Sequence, residues 1–402
     1  MILQDWHSLL QSTYEHRHWL HQHPELKWEE RTTADFIRQQ LTALEIPWRA
    51  CAGTGTVACL PSSPSSKNAK NAKSGSHLAF RADIDALPIE EASGVPFTSL
   101  HSGKMHACGH DGHTAALLAT AEWFKGNEAD LSGSISFIFQ PAEEGGHGAK
   151  KMIEDGALDG IDAIYGWHNW PAMRLGQVAC PEGTVMSGNA TFHIRLKGRG
   201  GHASQPEATR DPVLAAAAMT LDLQQIVSRR LPPQVPAVVS VTSIDARSSL
   251  TVIPEYVRIE GSIRFSESEW RDPIFEFIKE ICHNAAAAYG VEAQVETVPR
   301  YDATINHAEP SAHYRKALAC EFGEPLNAGN IRLPLMASED FSYYLKEIPG
   351  AFALIGMAEA KHNGTICNIP CHSPCYVFND AVIGPVVKVF SRIAGLPIPQ
   401  GS

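Results

Sequence analysis

The sequence predicts an α/β protein in which a doubly wound, mainly parallel sheet is interrupted by a smaller α+β domain. Between residues 77 and 168, apolar runs such as ISFIFQ (135–140), typical of buried parallel strands, alternate with helical segments. From residue 191 to residue 298 the predicted order becomes β-α-β-β-α-β, the split-βαβ arrangement of ferredoxin-like domains. We therefore expect a larger α/β domain with a ferredoxin-like domain inserted into it.

The chain length also favours two domains. At 402 residues it exceeds the usual size of a single domain. The change of pattern predicts a discontinuous larger domain over residues 1–182 and 299–402, and an inserted domain over residues 183–298. The inserted segment, about a hundred residues long, is sufficient for one small domain.

The first elements are two helices followed by strands. Helical patterns cover roughly residues 3–22 and 28–44, and short strands follow near residues 47–60. Residues 61–76 (PSSPSSKNAKNAKSGS) are small and polar without an apolar period, which predicts a loop between two strands. The segment HLAFRADIDALP (77–88) is then typical of a strand that ends in an acidic loop.

The later elements continue the alternation. An Ala- and Leu-rich helix is predicted over residues 113–125, and the inserted domain has a helix over 211–229 and another over 268–289. After the insertion, NIRLP (330–334) resumes the α/β pattern, a helix starts at Glu339, and a closing helix starts at Asn379. The sequence has no internal repeat.

Composition and charge exclude several classes of function. Lys and Arg total 33 against 44 Asp and Glu, a net charge of -11, which argues against a nucleic-acid partner because such a protein needs a basic face. No apolar run reaches the length of a membrane span, and the first residues lack a secretory signal. The nine cysteines do not form a dense disulfide pattern. We expect a soluble, reduced, cytoplasmic protein.

The segment MHACGHDGHTA (105–115) carries the strongest chemical signal. Cys108 and His110 are separated only by Gly109, and they reach one metal ion if the backbone turns sharply there. A cysteine thiolate is a soft ligand that favours zinc or a similar transition metal. The alternatives are a His-rich surface loop and a disulfide partner at Cys108.

The segment FQPAEEGGHG (139–148) places two adjacent carboxylates after a buried strand. Ligands bind beyond the carboxyl ends of the strands in open α/β sheets. One carboxylate can coordinate a metal ion while the other accepts a proton from water, so we interpret Glu144 as a ligand and Glu143 as a general base. The alternative is an acidic helix start.

Two further histidines complete a candidate ligand set. His168 follows an apolar strand in YGWHNWP, and His372 lies in CNIPCHSPCYVFND, where a packed or solvated histidine is the alternative. The set has five candidate ligands, which is one more than a closed tetrahedral site takes. Five ligands suit two metal ions that share a ligand and a water. The candidates are Cys108, His110, Glu144, His168 and His372. The sequence contains no HExxH, GxSxG or zinc-deaminase motif.

Together the motifs resemble the aminoacylase and carboxypeptidase superfamily of binuclear metallopeptidases. The similarity is to its amidohydrolase branch, which includes N-acyl amino-acid, hippurate and auxin-conjugate hydrolases. It covers nearly the whole chain, through RADIDALPIEE, MHACGHDGHTA, FQPAEEGGHGAKKMIEDG, GRGGHASQPEATRDPV, MASEDFSYYL and CHSPCYVFND in the family's order.

The resemblance implies a role for each candidate residue. It assigns the metal-ligand positions to the same five residues and the general base to Glu143. It implies that His202, in GRGGHAS, polarises the substrate carbonyl, often from the partner subunit, whereas the residues alone favour an ordinary loop histidine. It further implies that Asp85 orients a ligand, that two divalent ions bind, and that the inserted domain is a lid through which a homodimer forms. Zinc or manganese is favoured, and nickel and cobalt stay open.

Four positions depart from the family pattern. Thr251 replaces an asparagine that normally faces the substrate, and Val377 stands where an aspartate is usual. Ala246 and Arg247 replace a glycine pair, and Arg247 is either a cationic contact for an anionic substrate or a solvated hairpin residue. The metal-ligand set is intact, so these departures bear on the choice of substrate rather than on hydrolysis.

The sequence therefore predicts a metal-dependent hydrolase that cleaves the amide bond of N-acyl amino acids or related small conjugates. Metal ions would lower the pKa of a water molecule, and Glu143 would take its proton. The alternatives are a dipeptidase or aminopeptidase of the same superfamily and a non-catalytic metal-dependent binding protein. Glu143 argues against a binding protein, which has no need of a free base beside the ligands.

Overall fold

The computed structural model describes residues 5–62, 75–324, 326–359 and 367–400. The chain divides into two compact units. The first comprises Met1–Val185, Ile305–Leu333 and Asp340–Ser402, and the second comprises Met186–Thr304 and Pro334–Glu339. Most of the predicted polar loop at 61–76, from residue 63 to residue 74, lies outside the described residues.

The described helices and strands alternate along much of the chain. The helices are α1 (Trp6–Gln22), α2 (Arg31–Ala43), α3 (His110–Gly126), α4 (Gly148–Glu154), α5 (Pro212–Asp222), α6 (Arg271–Ala288), α7 (Ala308–Phe322), α8 (Ser342–Glu347) and α9 (Ile383–Ala394). The strands are β1 (Trp48–Cys51), β2 (Gly55–Leu60), β3 (Leu78–Asp83), β4 (Ile135–Gln140), β5 (Ala163–Arg174), β6 (Val178–Ala179), β7 (Gly183–Met186), β8 (Gly188–Lys197), β9 (Gly201–His202), β10 (Ala237–Asp245), β11 (Val252–Ile253), β12 (Tyr256–Phe265), β13 (Glu292–Pro299), β14 (Thr304–Asn306) and β15 (Gly350–Ala358).

The first unit is built on a seven-stranded sheet of order β1-β2-β4-β3-β5-β15-β6. Its four central strands, β4, β3, β5 and β15, run parallel to one another. Every residue of β4 is buried, as expected for a parallel strand covered on both faces. The prediction of an α/β protein with a parallel sheet at its centre is confirmed.

Helix α3 connects the sheet to the helices that surround it. It packs against β3, α1 and α9, so all its residues from His110 to Ala121 are buried. Its first turn therefore lies inside the unit rather than at the surface, although it begins with polar side chains. Those side chains must find partners within the protein, because buried polar groups without partners are destabilising.

The second unit contains a four-stranded antiparallel sheet of order β10-β12-β8-β13. Alternate residues of β8 are buried, and α5 and α6 pack on the sheet to enclose a separate core that includes Phe192, Ile259 and Ile278. Along the chain, the four strands of this sheet and the two helices follow the order β-α-β-β-α-β.

Several element ends differ from the sequence expectation. The helix predicted over 211–229 ends at Asp222, and a single π-helical turn follows at Ile226–Arg230. NIRLP forms no strand, and the helix expected from Glu339 begins at Ser342. The closing helix begins at Ile383, because the Asn379 side chain accepts a hydrogen bond from the Ala381 N–H and caps a short 3₁₀ turn first. In the described part of the chain, no helix is both long and apolar enough to cross a membrane.

Candidate metal centre

The centre lies in the first unit, near the carboxyl ends of the parallel strands. Strand β3 ends at Asp83 and β4 ends at Gln140, just before the loop that carries Glu143 and Glu144. His168 lies within β5, opposite Leu354 of β15. Because the carboxyl ends of parallel strands meet at one edge of the sheet, polar side chains far apart in sequence come together there.

A glycine turn brings Cys108 and His110 to the same place. Gly109, which precedes α3, has a φ of 92°, in the left-handed region that favours glycine. A Cβ atom there would lie 2.3 Å from Asn169 Oδ1 and 2.6 Å from the Tyr376 hydroxyl, so no larger residue fits without displacement of these groups. The predicted sharp turn between the thiol and the imidazole is therefore present.

Cys108 and His168 face each other in the buried part of the centre. Cys108 Sγ lies 3.3 Å from His168 Nε2, and His168 Nδ1 lies 2.6 Å from the backbone carbonyl oxygen of Asn169. Since that carbonyl only accepts, Nδ1 carries the proton and the Nε2 lone pair points to the thiol. Burial lowers the pKa of His168 well below its usual value, which keeps the ring neutral, as a metal ligand must be.

His110 is oriented in the same manner by Asp85. Its Nδ1 atom lies 2.9 Å from the Asp85 carbonyl oxygen and 3.2 Å from Asp85 Oδ1, so its proton is on Nδ1. The other ring nitrogen, Nε2, is buried and has no hydrogen-bond partner among the described residues. When the ring is neutral, this buried nitrogen carries the lone pair that a metal ligand presents. The second carboxylate oxygen of Asp85 accepts the Glu144 N–H at 2.9 Å.

Glu144 and His372 form the outer part of the centre. Glu144 Oε1 lies 3.1 Å from His372 Nε2, and the His372 side chain is 53% exposed. The His372 N–H donates to the Ala107 carbonyl oxygen at 2.7 Å, which ties its loop to the segment that carries Cys108. The structure thus brings the five predicted ligands into overlapping groups whose donor atoms lie within 4.8 Å of one another: Cys108 with His110 and His168, Cys108 with Glu144 and His372, and His110 with Glu143 and Glu144.

Glu143, the predicted base, is buried beside these groups. Its side chain shares the cluster of His110 and Glu144, and its Oε1 atom accepts the Asp340 N–H at 3.4 Å. The carboxylate therefore lies next to the candidate ligands.

The charges around His110 are those of a cation site. Burial disfavours the charged imidazole, yet Asp83, Asp85 and Glu144 outweigh it and raise the pKa of His110 well above its usual value. Thiolate, imidazole and carboxylate donors together fit divalent transition-metal ions better than calcium or magnesium, which prefer oxygen ligands. The donor set and its surplus of negative charge therefore fit the predicted metal chemistry.

A layer of polar residues that was not predicted from the sequence lies behind the candidate ligands. Asp83 Oδ1 lies 2.6 Å from His113 Nδ1, and its Oδ2 atom accepts from Arg81 at 2.8 Å. His113 Nε2 in turn lies 2.7 Å from Asn169 Oδ1. The available signal was spacing, since residues three apart on a helix share a face, which puts His113 beside His110.

The remaining predicted residues belong to the second unit or to the core of the first. His202 belongs to the second unit, in the strand pair β9–β11, where it is exposed and accepts the Ser204 N–H at 3.1 Å. Thr251 and Arg247 are exposed in the same unit. Val377 is buried in the core of the first unit, where an apolar side chain is well accommodated.

Comparisons with known proteins agree with this chemistry. A profile of the peptidase family M20/M25/M40 matches residues 79–395. The N-acetyl-L-cysteine deacetylase of Bacillus subtilis is 38% identical over 91% of this chain and 83% of its own length. The hippurate hydrolase of Campylobacter jejuni is 35% identical over 94% of each chain.

A solved structure extends the similarity to the fold. The YXEP protein of Bacillus subtilis, described as a dinuclear metal-binding peptidase of the M20 family, superposes with a TM-score of 0.80. It is 31% identical and covers 96% of this chain and 98% of its own. The predicted resemblance and the predicted class of enzyme, a metal-dependent amidohydrolase, are confirmed. The chain belongs to the peptidase family M20/M25/M40.

Proposed function

We propose that this enzyme hydrolyses the amide bond of N-acyl amino acids or closely related small conjugates at the candidate metal centre. The observation that carries the proposal is the buried Glu143 carboxylate, which adjoins His110 and Glu144 within one group of donor atoms. The named activities of the two relatives, an N-acetylcysteine deacetylase and a hippurate hydrolase, support small N-acyl substrates.

Each residue has a proposed task. Cys108, His110, Glu144, His168 and His372 hold two divalent ions, with zinc or manganese favoured. Such ions, when bound, supply the Lewis acidity that activates a water molecule and the substrate carbonyl. Glu143 takes the proton of the attacking water and passes it to the leaving nitrogen. His202 donates a hydrogen bond to the carbonyl oxygen as negative charge develops there, and Asp85 holds His110 in place.

We also propose that the second unit is a ferredoxin-like lid through which two chains associate. Its exposed apolar side chains support this, because Leu214 and Leu221 lie on one face of α5 and are 56% and 74% exposed. Strand β10 is an edge strand that also exposes Val238 and Ile244. A charged residue at position 221 should then weaken association, which sedimentation of Leu221→Asp against the unmodified chain would measure.

The test of the proposed reaction combines metal content with turnover. Bound metal is quantified per chain, and N-acetyl, N-benzoyl and indole-acyl amino acids are assayed beside dipeptides, with Zn, Mn, Ni and Co added in turn. About two metal ions per chain and cleavage of acyl amino acids are expected. Cleavage of the dipeptides alone would favour a peptidase. Absence of both metal binding and turnover after metal addition would contradict the proposal.

A further inference from the structure

Glu30 is a buried carboxylate that joins three separate segments of the first unit. Its side chain has no exposed surface. The Oε1 atom accepts the backbone N–H groups of Trp28 and Ala142, each at 2.9 Å, and Oε2 accepts the Thr54 hydroxyl at 2.7 Å. It thus connects the turn before α2, the turn between β1 and β2, and the loop after β4.

Both backbone groups held by Oε1 belong to residues in an unusual conformation. Trp28 has a φ of 66° and Ala142 a φ of 53°, in the left-handed region that L-residues other than asparagine and aspartate rarely adopt. Such a conformation persists only where surrounding contacts impose it. Ala142 is fully buried, so its N–H cannot turn to water and depends on the Glu30 carboxylate.

Ala142 directly precedes Glu143 and Glu144, and its loop is tightly folded. The Gly148 N–H donates to the Ala142 carbonyl oxygen at 3.1 Å. A Cβ atom on Gly148 would lie 1.6 Å from the Pro141 carbonyl oxygen, and one on Gly146 would lie 2.6 Å from the Ala142 Cβ. The direction in which Glu143 and Glu144 leave the backbone therefore follows from the conformation of Ala142.

We propose that Glu30 is a positioning residue for the hydrolytic reaction. Its hydrogen bond to the Ala142 N–H fixes the left-handed conformation of Ala142. This conformation in turn directs the side chains of Glu143 and Glu144 toward the metal centre. The inference rests on the proposed function for the roles of these two carboxylates. Glu30 itself touches neither substrate nor metal, so its effect on turnover and on metal affinity passes through the backbone.

The test compares Glu30→Ala with Glu30→Gln. A glutamine keeps an oxygen acceptor for the two N–H groups and can donate to the Thr54 hydroxyl oxygen, whereas alanine leaves the Ala142 N–H without its acceptor. We expect Glu30→Ala to lower kcat roughly 10- to 100-fold with KM changed less than about threefold, and to weaken metal binding about tenfold or more. Glu30→Gln should retain kcat and metal affinity within about threefold.

A nearby carboxylate provides the matched control. Glu25 accepts the Thr32 and Thr33 N–H groups at the start of α2, at 3.1 and 2.9 Å, and none of its side-chain contacts in the described residues reaches the loop after β4. Glu25→Ala removes a partly buried carboxylate that also accepts backbone N–H groups beside α2, so it should lower thermal stability while kcat and metal affinity stay at the unmodified values. An equal loss of kcat in Glu25→Ala would identify a general structural effect and overturn the proposal.

Metal affinity separates this inference from the proposed reaction. It is measured by competition with a chelator at equilibrium and needs no substrate. If the unmodified enzyme cleaves no acyl amino acid, the proposed function fails, while a selective loss of metal affinity in Glu30→Ala would still support the positioning role. If Glu30→Ala does not fold, Glu30→Asp, which is one methylene shorter, is measured instead and should show an intermediate loss. Unmodified kcat and metal affinity in the folded variant would overturn the inference.

Discussion

His21 provides a test of the charge network beneath the first turn of α3. It lies in the last turn of α1, where Nδ1 is 2.8 Å from Asp111 Oδ2 and Nε2 is 3.1 Å from Glu91 Oε1. Burial lowers the pKa of His21, but the hydrogen bonds to Asp111 and Glu91 outweigh burial and the repulsion of Arg17, and raise it to about 9. The imidazole of His106 also lies nearby, 6.5 Å away between ring centroids.

The raised pKa makes the stability depend on pH with a definite sign. Because the folded chain binds the His21 proton more tightly than the unfolded chain, the stabilisation is fully present below the unfolded pKa and is lost as the pH rises through the folded pKa. With pKa values of 6.5 unfolded and about 9 folded, His21 contributes about 3 kcal/mol at pH 6, about 2 kcal/mol at pH 7.5 and about 0.2 kcal/mol at pH 9.5.

The assay is urea unfolding of the unmodified protein and of His21→Gln at these three pH values, at one fixed metal concentration. The difference in free energy of unfolding between them should fall by about 3 kcal/mol from pH 6 to pH 9.5. His16 is the matched control on the same helix. Burial lowers the pKa of His16, so His16→Gln should give a constant difference from pH 7.5 to pH 9.5. A difference for His21→Gln that stays constant or grows from pH 6 to pH 9.5 would show that the folded chain does not bind the His21 proton more tightly than the unfolded chain.

Three further predictions concern the metal centre. Glu143→Gln should lower kcat by about 10²- to 10⁴-fold at unchanged metal content, and full activity would contradict its role as base. Metal-free enzyme kept in air should require reductant as well as metal to recover activity, because a Cys108 thiol without its metal can oxidise with the nearby Cys371, whose Sγ atom lies 4.0 Å from the Cys108 carbonyl oxygen. Thiol counts before and after reduction would measure the oxidation. Gly109→Ala should weaken metal binding at least about tenfold, because the added Cβ atom would meet Asn169 Oδ1. Competition with a chelator measures the metal affinity, and an affinity equal to that of the unmodified protein would contradict this prediction.

The sequence predicted the centre of the fold better than the ends of its elements. Strand β4 is buried along its whole length, and a continuous apolar run in the sequence predicts such a strand. Helix ends depend on individual capping contacts instead. The side chain of Asn379 caps a 3₁₀ turn, which shifts the start of α9 to Ile383. The spacing of apolar residues in the sequence does not predict such a contact.

In the candidate site too, local features could be predicted from the sequence and long-range contacts could not. Cys108 and His110 are two residues apart around a glycine, so they form a local motif that the sequence shows. Glu30 lies 112 residues from Ala142, and its contact exists only because the fold brings α2 to the loop after β4. A single glutamate before a helix is indistinguishable from an ordinary solvated one in the sequence. Long-range supporting contacts of this kind become visible only in three dimensions.

Two groups of carboxylates in the first unit are balanced by different kinds of cation. Asp111 is neutralised by the permanent cation Arg17 and by His21, and Arg81 ion-pairs with Asp83. Around Asp85 and Glu144 the facing groups are the imidazoles of His110 and His372, which are cationic only when they carry a second proton. A histidine binds a metal ion in its neutral form, so a divalent ion bound at His110 would take over the balancing charge that the protonated ring supplies. The ion pairs of Arg17 and Arg81 need no metal ion, because these guanidinium groups stay charged with or without one.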